Sequence, residues 1–240
     1  IDTLMTPTLA GSLRNVVRDV TSKPIRYVIN THFHGDHVYG NQYFLPAPII
    51  GHENCRFDLD TKWESNFGRY WAREALQPEL SRIRKTLPDV TFKDHMSLWF
   101  GNREIQLSYH GRAHSNSDIL LYLPDDKVLF VGDLAVNKTI PAFPDGHISN
   151  WIQVLEQVKN IDADTIVPGH GPVGGRSEFN EARDLLILLD DQIREAFDAG
   201  ISEDTAPSRI DVRSFSTFAN QDRIPQIIEM AYKAYRGELE

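Results

Sequence analysis

Five histidines and two aspartates stand where side chains of these types could do chemistry together. The stretch Thr31-His32-Phe33-His34-Gly35-Asp36-His37 carries four of the seven. Gly111-Arg112-Ala113-His114, Val131-Gly132-Asp133 and Pro168-Gly169-His170-Gly171 carry the others, and each of these segments follows a run that reads as a strand. Imidazole and carboxylate without thiolate suit zinc, iron, manganese or nickel, and a catalytic site differs from a structural one in leaving a position open to water. With no cysteine among the candidate ligands, the set points to catalysis. In extended backbone His32 and His34 share a face, and the turn opened by Gly35 can aim Asp36 and His37 at a second ion. One loop can thus serve two metals. His52, His95, His110 and His147 stand alone in sequence and read as ordinary core or surface residues.

The elements that must position these groups are legible from periodicity. Leu13, Val16, Val17 and Val20 fall at helical spacing, Ser22-Lys23-Pro24 stops that helix, and Arg26–Asn30 is extended. Ile1-Asp2-Thr3 reads as the end of a strand, giving a strand, helix, strand entry into the first histidine segment. Residues Glu53 to Leu87 read as one or two amphipathic helices. Val90–Lys93, Glu104–Tyr109, Ile119–Leu123 and Lys127–Val131 read as a meander or hairpin, with a turn at Pro124-Asp125-Asp126. A helix from about Ser149 to Lys159 leads to the strand Thr165–Val167, and helices follow from Ser177 to about Phe197 and from about Ile224 to Tyr235. The division expected is a catalytic domain over 1–176 with a helical extension of the same domain over 177–240.

Composition bounds the function. The 240 residues are 41% hydrophobic and 25% charged, an ordinary globular mixture. Lys and Arg number 25 against 34 Asp and Glu, a net charge of −9 that disfavours nucleic acid as a partner. No apolar stretch approaches the roughly 18 to 20 residues that span a bilayer, so no membrane partner is expected. The single cysteine, Cys55, forms no intramolecular disulfide, and cytoplasmic, periplasmic and secreted locations all stay open.

The ordered set of His-x-His-x-Asp-His, then single His, Gly-Asp and Gly-His-Gly segments resembles the metallo-β-lactamase superfamily from about Ile1 to Val173. That resemblance implies an α/β fold, a four-layer αββα sandwich with a binuclear site at the edge between two sheets. It implies that His32, His34 and His114 hold one zinc ion, that Asp36, His37 and His170 hold the second, and that Asp133 bridges them; iron or manganese could replace zinc. His114–Pro124 is similar to the true metallo-β-lactamases. Those enzymes carry Arg where this chain has His37, Cys where it has Asp133 and a substrate-binding Lys where Val136 falls, with Lys138 two residues on. The ligand set instead resembles glyoxalase II and the acyl-homoserine lactonases. In the family several strands precede the first histidine segment, and a half-sandwich would expose an apolar sheet face, so about fifty residues of the complete fold are expected to precede this sequence.

The chemistry implied is hydrolysis of an acyl bond in a small molecule: an ester, lactone, thioester or β-lactam. A metal-bridging hydroxide would attack the carbonyl, and Asp36 would orient it and shuttle its proton. Two other readings are a mononuclear non-haem iron dioxygenase of the persulfide dioxygenase type and a non-catalytic metal-binding module. Phe33, Tyr39, Phe67, Trp71 and Phe143 could wall an apolar cleft, with Phe33 and Tyr39 the stronger candidates because they sit in the ligand loop. The C-terminal helices could cover that cleft or support a homodimer.

Overall fold

The computed structural model describes residues 1–239, so Glu240, the end of the expected 177–240 extension, lies outside the described residues. The chain forms two compact units, Ile1–Asp94 and His95–Glu240.

In the first unit, Thr6 caps the helix α1 (Pro7–Val20) by accepting a hydrogen bond from the Leu9 N–H, and Pro7 occupies the helical start. The helix therefore begins a turn and a half before its periodic apolar residues. Three strands, β1 (Val28–Ile29), β2 (Ile49–His52) and β3 (Val90–Phe92), form a parallel sheet in the order β1-β2-β3. Between them lie the single-turn helix α2 (Gly35–Val38), then α3 (Glu53–Thr61), α4 (Trp63–Trp71) and α5 (Gln77–Leu80). Strand β2 carries no alternation because all four of its residues are buried, and it follows two prolines, which hides it from pattern reading. Strand β3 was expected beside the antiparallel strands that follow it in sequence; it pairs in parallel with β2 instead.

Residues 1–4 are not a strand end. Asp2 and Leu4 both take left-handed backbone, with φ of 52° and 64°, a conformation that costs a non-glycine residue about 1–2 kcal/mol. It is held by the Asp2 N–H donating to the Ile29 carbonyl, the Thr3 N–H to the His37 carbonyl and the Gly40 N–H to the Leu4 carbonyl, at 2.8, 2.7 and 2.8 Å. The segment thus bridges the end of β1 to the residues just past α2.

The second unit is built on a five-stranded sheet in the order β4-β5-β6-β7-β8. Strands β4 (His95–Phe100), β5 (Arg103–Tyr109), β6 (Ile119–Leu123) and β7 (Val128–Gly132) are antiparallel neighbours, while β8 (Thr165–Pro168) runs parallel to β7. Strand β4 was missed in the sequence because it is a mostly exposed edge strand, with Trp99 and Phe100 66% and 52% exposed. Helices α6 (Ile148–Val158), α7 (Arg176–Asp198) and α8 (Ile224–Tyr235) supply the rest of the core. Trp151, Val154, Leu155 and Val158 form the buried stripe of α6, and Leu185, Leu186, Leu189 and Ile193 that of α7. Burial of each large apolar side chain contributes about 1.5–3 kcal/mol. No helix among the described residues is long and apolar enough to cross a membrane.

Gly40 shows how tightly the 1–4 segment is seated, since a Cβ there would lie 2.0 Å from the Thr3 carbonyl oxygen. Gly40→Ala is expected to lower stability by about 2–3 kcal/mol, read as a shift of the urea midpoint at unchanged slope. An unchanged midpoint would show that the segment moves aside at no cost.

Candidate functional site

Strand β1 delivers the first ligand loop. Beyond it the Asn30 N–H still donates to the Ile50 carbonyl at 2.8 Å, and the chain then bends through Thr31, His32 and Phe33 to His34, which occupies the N-cap position of α2. The His32 and His34 rings stand edge to face at 4.8 Å, and the α2 turn returns the His37 ring to 4.1 Å from that of His32. Asp36 sits in the same turn, its Oδ2 3.8 Å from His37 Nε2. A reciprocal pair of buried amides braces the loop from beneath: Asn30 Nδ2 donates to Asn41 Oδ1 at 3.0 Å and Asn41 Nδ2 to Asn30 Oδ1 at 2.9 Å.

One carboxylate sets the tautomers. Asp2 Oδ1 accepts from the Thr31 N–H, while its Oδ2 accepts from the Thr31 hydroxyl at 2.9 Å and from His37 Nδ1 at 2.8 Å. The Thr31 hydroxyl has a single proton, and that proton goes to Asp2. Its oxygen must therefore accept from His32 Nδ1, 3.0 Å away. With both Nδ1 atoms acting as donors, His32 and His37 each carry their lone pair on Nε2, the arrangement that outer partners impose on metal-binding imidazoles.

Asp36 has its own support. Tyr70 on α4 donates its hydroxyl to Asp36 Oδ1 at 2.8 Å. Burial, the Asp36 charge and that hydrogen bond all push the Tyr70 phenol far above its ordinary pKa, so it stays a donor.

In the second unit, Asp133 follows β7 and His170 follows β8, at the carboxyl ends of two parallel neighbours, the position where α/β sheets place chemistry. The Gly169 N–H donates to the Gly132 carbonyl at 2.7 Å, and the Asn137 N–H donates to the His170 carbonyl at 2.9 Å. Gly171, with φ of 95°, leaves room for the Asn137 carbonyl, which would lie 2.0 Å from any Cβ. His114 comes from the loop between β5 and β6 and is fully buried, its ring 5.2 Å from Trp151. Asp133 Oδ2 lies 3.6 Å from His114 Nε2 and 3.4 Å from His170 Nε2. Two ligands each about 2.1 Å from one tetrahedral ion stand about 3.4 Å apart, so these atoms are spaced as ligands are.

The structure thus gathers His32, His34, Asp36 and His37 in one unit and His114, Asp133 and His170 in the other, all with donor atoms of the kind that hold metal ions. Sequence reasoning missed the groups that orient them. Asp2, Thr31 and Tyr70 carry no local signal, since Asp2 lies 35 residues from His37 and Tyr70 34 from Asp36. Asp118 had one: it stands four residues after His114, with Oδ1 3.5 Å from His114 Nδ1, and it accepts from the Ser115 N–H and hydroxyl.

Other expectations need correction. Phe33, Tyr39 and Phe143 are 0%, 2% and 0% exposed and are core residues, Phe33 and Tyr39 clustered with Cys55 and Leu59 and Phe143 stacked on Trp151. Lys138 is ion-paired with Glu181 and lies over the Phe218 ring, so it is not an uncommitted cation. His52 and His147 serve as helix caps, accepting from the Asn54 and Asn150 N–H groups. Burial holds the His147 imidazole below its ordinary pKa, in the neutral form that a cap requires.

Comparison with known proteins shows what the chain is similar to. A family model described as the metallo-beta-lactamase superfamily matches residues 1–170. The chain is 24% identical to a linear primary-alkylsulfatase of Pseudomonas sp. (strain ATCC 19151), over 80% of its own length and 44% of that protein's. It is 26% identical to the type 2 metallo-beta-lactamase of Bacillus cereus, over 78% of its length and 67% of that protein's. The chain therefore spans less than half of the first relative and about two thirds of the second. Among solved structures, a metallo-beta-lactamase from Pontibacter korlensis superposes with a TM-score of 0.63 at 22% identity, covering 78% of this chain and 80% of that one, which shows a shared fold.

If Tyr70 is held as a neutral donor, wild type and Tyr70→Phe will give the same absorbance change at 295 nm when titrated through about pH 11. A smaller change in the variant, by one tyrosine, would show that Tyr70 ionises with the ordinary residues.

Proposed function

Because the chain belongs to the metallo-β-lactamase superfamily, whose members are generally metal-dependent hydrolases, we propose that it is a binuclear zinc hydrolase of acyl bonds in small molecules. The observation that carries this reading is Asp133, whose Oδ2 faces both His114 Nε2 and His170 Nε2. A carboxylate oxygen there can serve two ions at once, and no thiolate stands among the donors. In this reading His32, His34 and His114 would hold one ion, Asp36, His37 and His170 would hold the other, and Asp133 would serve both. When bound, the ions supply Lewis acidity and make hydroxide available near neutral pH, since ligation lowers the pKa of water toward about 7.

The chain's own residues do the rest. Asp36 keeps one carboxylate oxygen for the Tyr70 hydroxyl, which leaves Oδ2 as the atom that would both hold the second ion and orient the nucleophile and its proton. Asp2 and Thr31 fix the imidazoles of His32 and His37, and they increase the basicity of Nε2 by drawing on the Nδ1 proton. Asp118 faces His114 from behind in the same sense. The substrate's acyl portion would meet the donors, and ester, lactone, thioester and β-lactam remain the classes to test. A linear primary alkyl sulfate belongs in the same panel, in view of the Pseudomonas relative.

Elemental analysis of protein purified without added metal should find close to two zinc ions per chain, with turnover on an acyl substrate. One iron per chain, no hydrolysis and oxygen uptake with a persulfide would replace this reading with the dioxygenase. Asp36→Asn should lower kcat by about 10²–10⁴-fold while retaining at least the ion assigned to His32, His34 and His114. Equal loss of metal and activity would make Asp36 a ligand only.

Asp2→Ala should weaken zinc binding by about 10–100-fold, measured by competition with a chromophoric chelator. Unaltered affinity would remove Asp2 from the support of the site.

A further inference from the structure

A groove in the first unit, lined by none of the His32–His37 residues, has a composition unlike the rest of this acidic chain. It has a volume of about 740 Å³ and lies between the last turns of α1, residues 21–26 and residues 43–48. Arg14, Arg18, Lys23 and Arg26 line it, and no carboxylate does. Their charges are not engaged by the protein: none of the four side chains has an ion-pair or hydrogen-bond partner among the described residues. Several cations outside the groove are paired by contrast, as Lys85 is to Asp60, Lys127 to Asp162 and Arg236 to Glu203.

Four uncompensated cations around one concavity repel one another and create a local positive potential on a chain of net charge −9. The carboxyl end of α1 contributes only about half a negative charge, far less than the four cations. The groove also has an apolar wall, formed by Val17, Ile25, Tyr43 and Pro46. Its volume falls within the roughly 300–1,000 Å³ of small-ligand pockets. Guanidinium forks match phosphate oxygens two at a time, and four cations exceed what a single carboxylate would neutralise.

We propose that this groove binds a small organic polyphosphate of the nucleoside diphosphate class. The phosphates lie against Arg14, Arg18, Lys23 and Arg26, and the organic portion lies against Tyr43 and its apolar neighbours. The site is additional to the hydrolytic reading and does not depend on it.

The test is calorimetric titration of the metal-loaded protein with ADP at low ionic strength, comparing wild type with Arg18→Gln/Arg26→Gln. Both arginines are exposed and unpartnered, so the double variant should keep the wild-type thermal midpoint. Wild type should bind ADP, with affinity falling as salt is added, and the double variant should bind at least about tenfold more weakly. Should the double variant fail to fold, Arg26→Gln alone makes the same comparison. Absence of binding to wild type at millimolar ADP would overturn the proposal. So would equal affinity in wild type and variant, which would place ADP elsewhere on the protein.

Discussion

The first unit depends on one buried hydrogen-bonded chain, running from His32 through the Thr31 hydroxyl to Asp2 and on to His37. Each link leaves its neighbour a single choice of proton position. The carboxylate can only accept, so the hydroxyl must donate to it. The hydroxyl oxygen then accepts from one imidazole, and the second imidazole must donate as well. Hydrogen bonds to a charged acceptor contribute about 1.5–3 kcal/mol each, enough to keep Asp2 and Leu4 in left-handed backbone. The unusual conformation of residues 1–4 is thus explained by what it brings to the histidines.

The second unit solves the same problem with a sheet. Asp133 and His170 emerge from adjacent parallel strands whose register is fixed by the β7–β8 ladder, and the Gly169 and Asn137 backbone bonds carry that register past the strand ends. His114 comes from a loop, and there Trp151 and Asp118 take over the work of the ladder. Side chains on strand ends inherit their position from the sheet, whereas a loop histidine needs a dedicated neighbour on each side.

That difference explains what could be read in the sequence. The four donor segments were legible because each concentrates rare residue types directly after an apolar run. Strands β5 to β8 and helices α6 to α8 were legible because half-buried elements alternate or repeat at their natural period. Strand β2 was not, being buried on both faces, and β4 was not, being an edge strand with one face exposed and the other only partly buried. The supports of the site were the least legible. Asp2, Thr31 and Tyr70 are ordinary residues whose importance comes from a partner distant in sequence, and no local pattern encodes such a partner. Phe33 and Tyr39 illustrate the converse: their place beside the histidines suggested a cleft, but both side chains pack into one core cluster with Cys55, Leu59 and Leu80.

The Asn30–Asn41 pair beneath the ligand loop has a bearing on how such a chain can change over generations. Each amide is the other's donor and acceptor, and both are wholly buried. Replacing either one strands the other's amide away from water, and replacing both by apolar residues would also take their partner from the Thr3 hydroxyl and the Thr86 carbonyl, which Asn41 holds as well. The two positions are therefore epistatically locked. Descendants should keep both asparagines, because exchange of the pair also disturbs the Thr3 hydroxyl and the Thr86 carbonyl, and that slows drift beneath this loop.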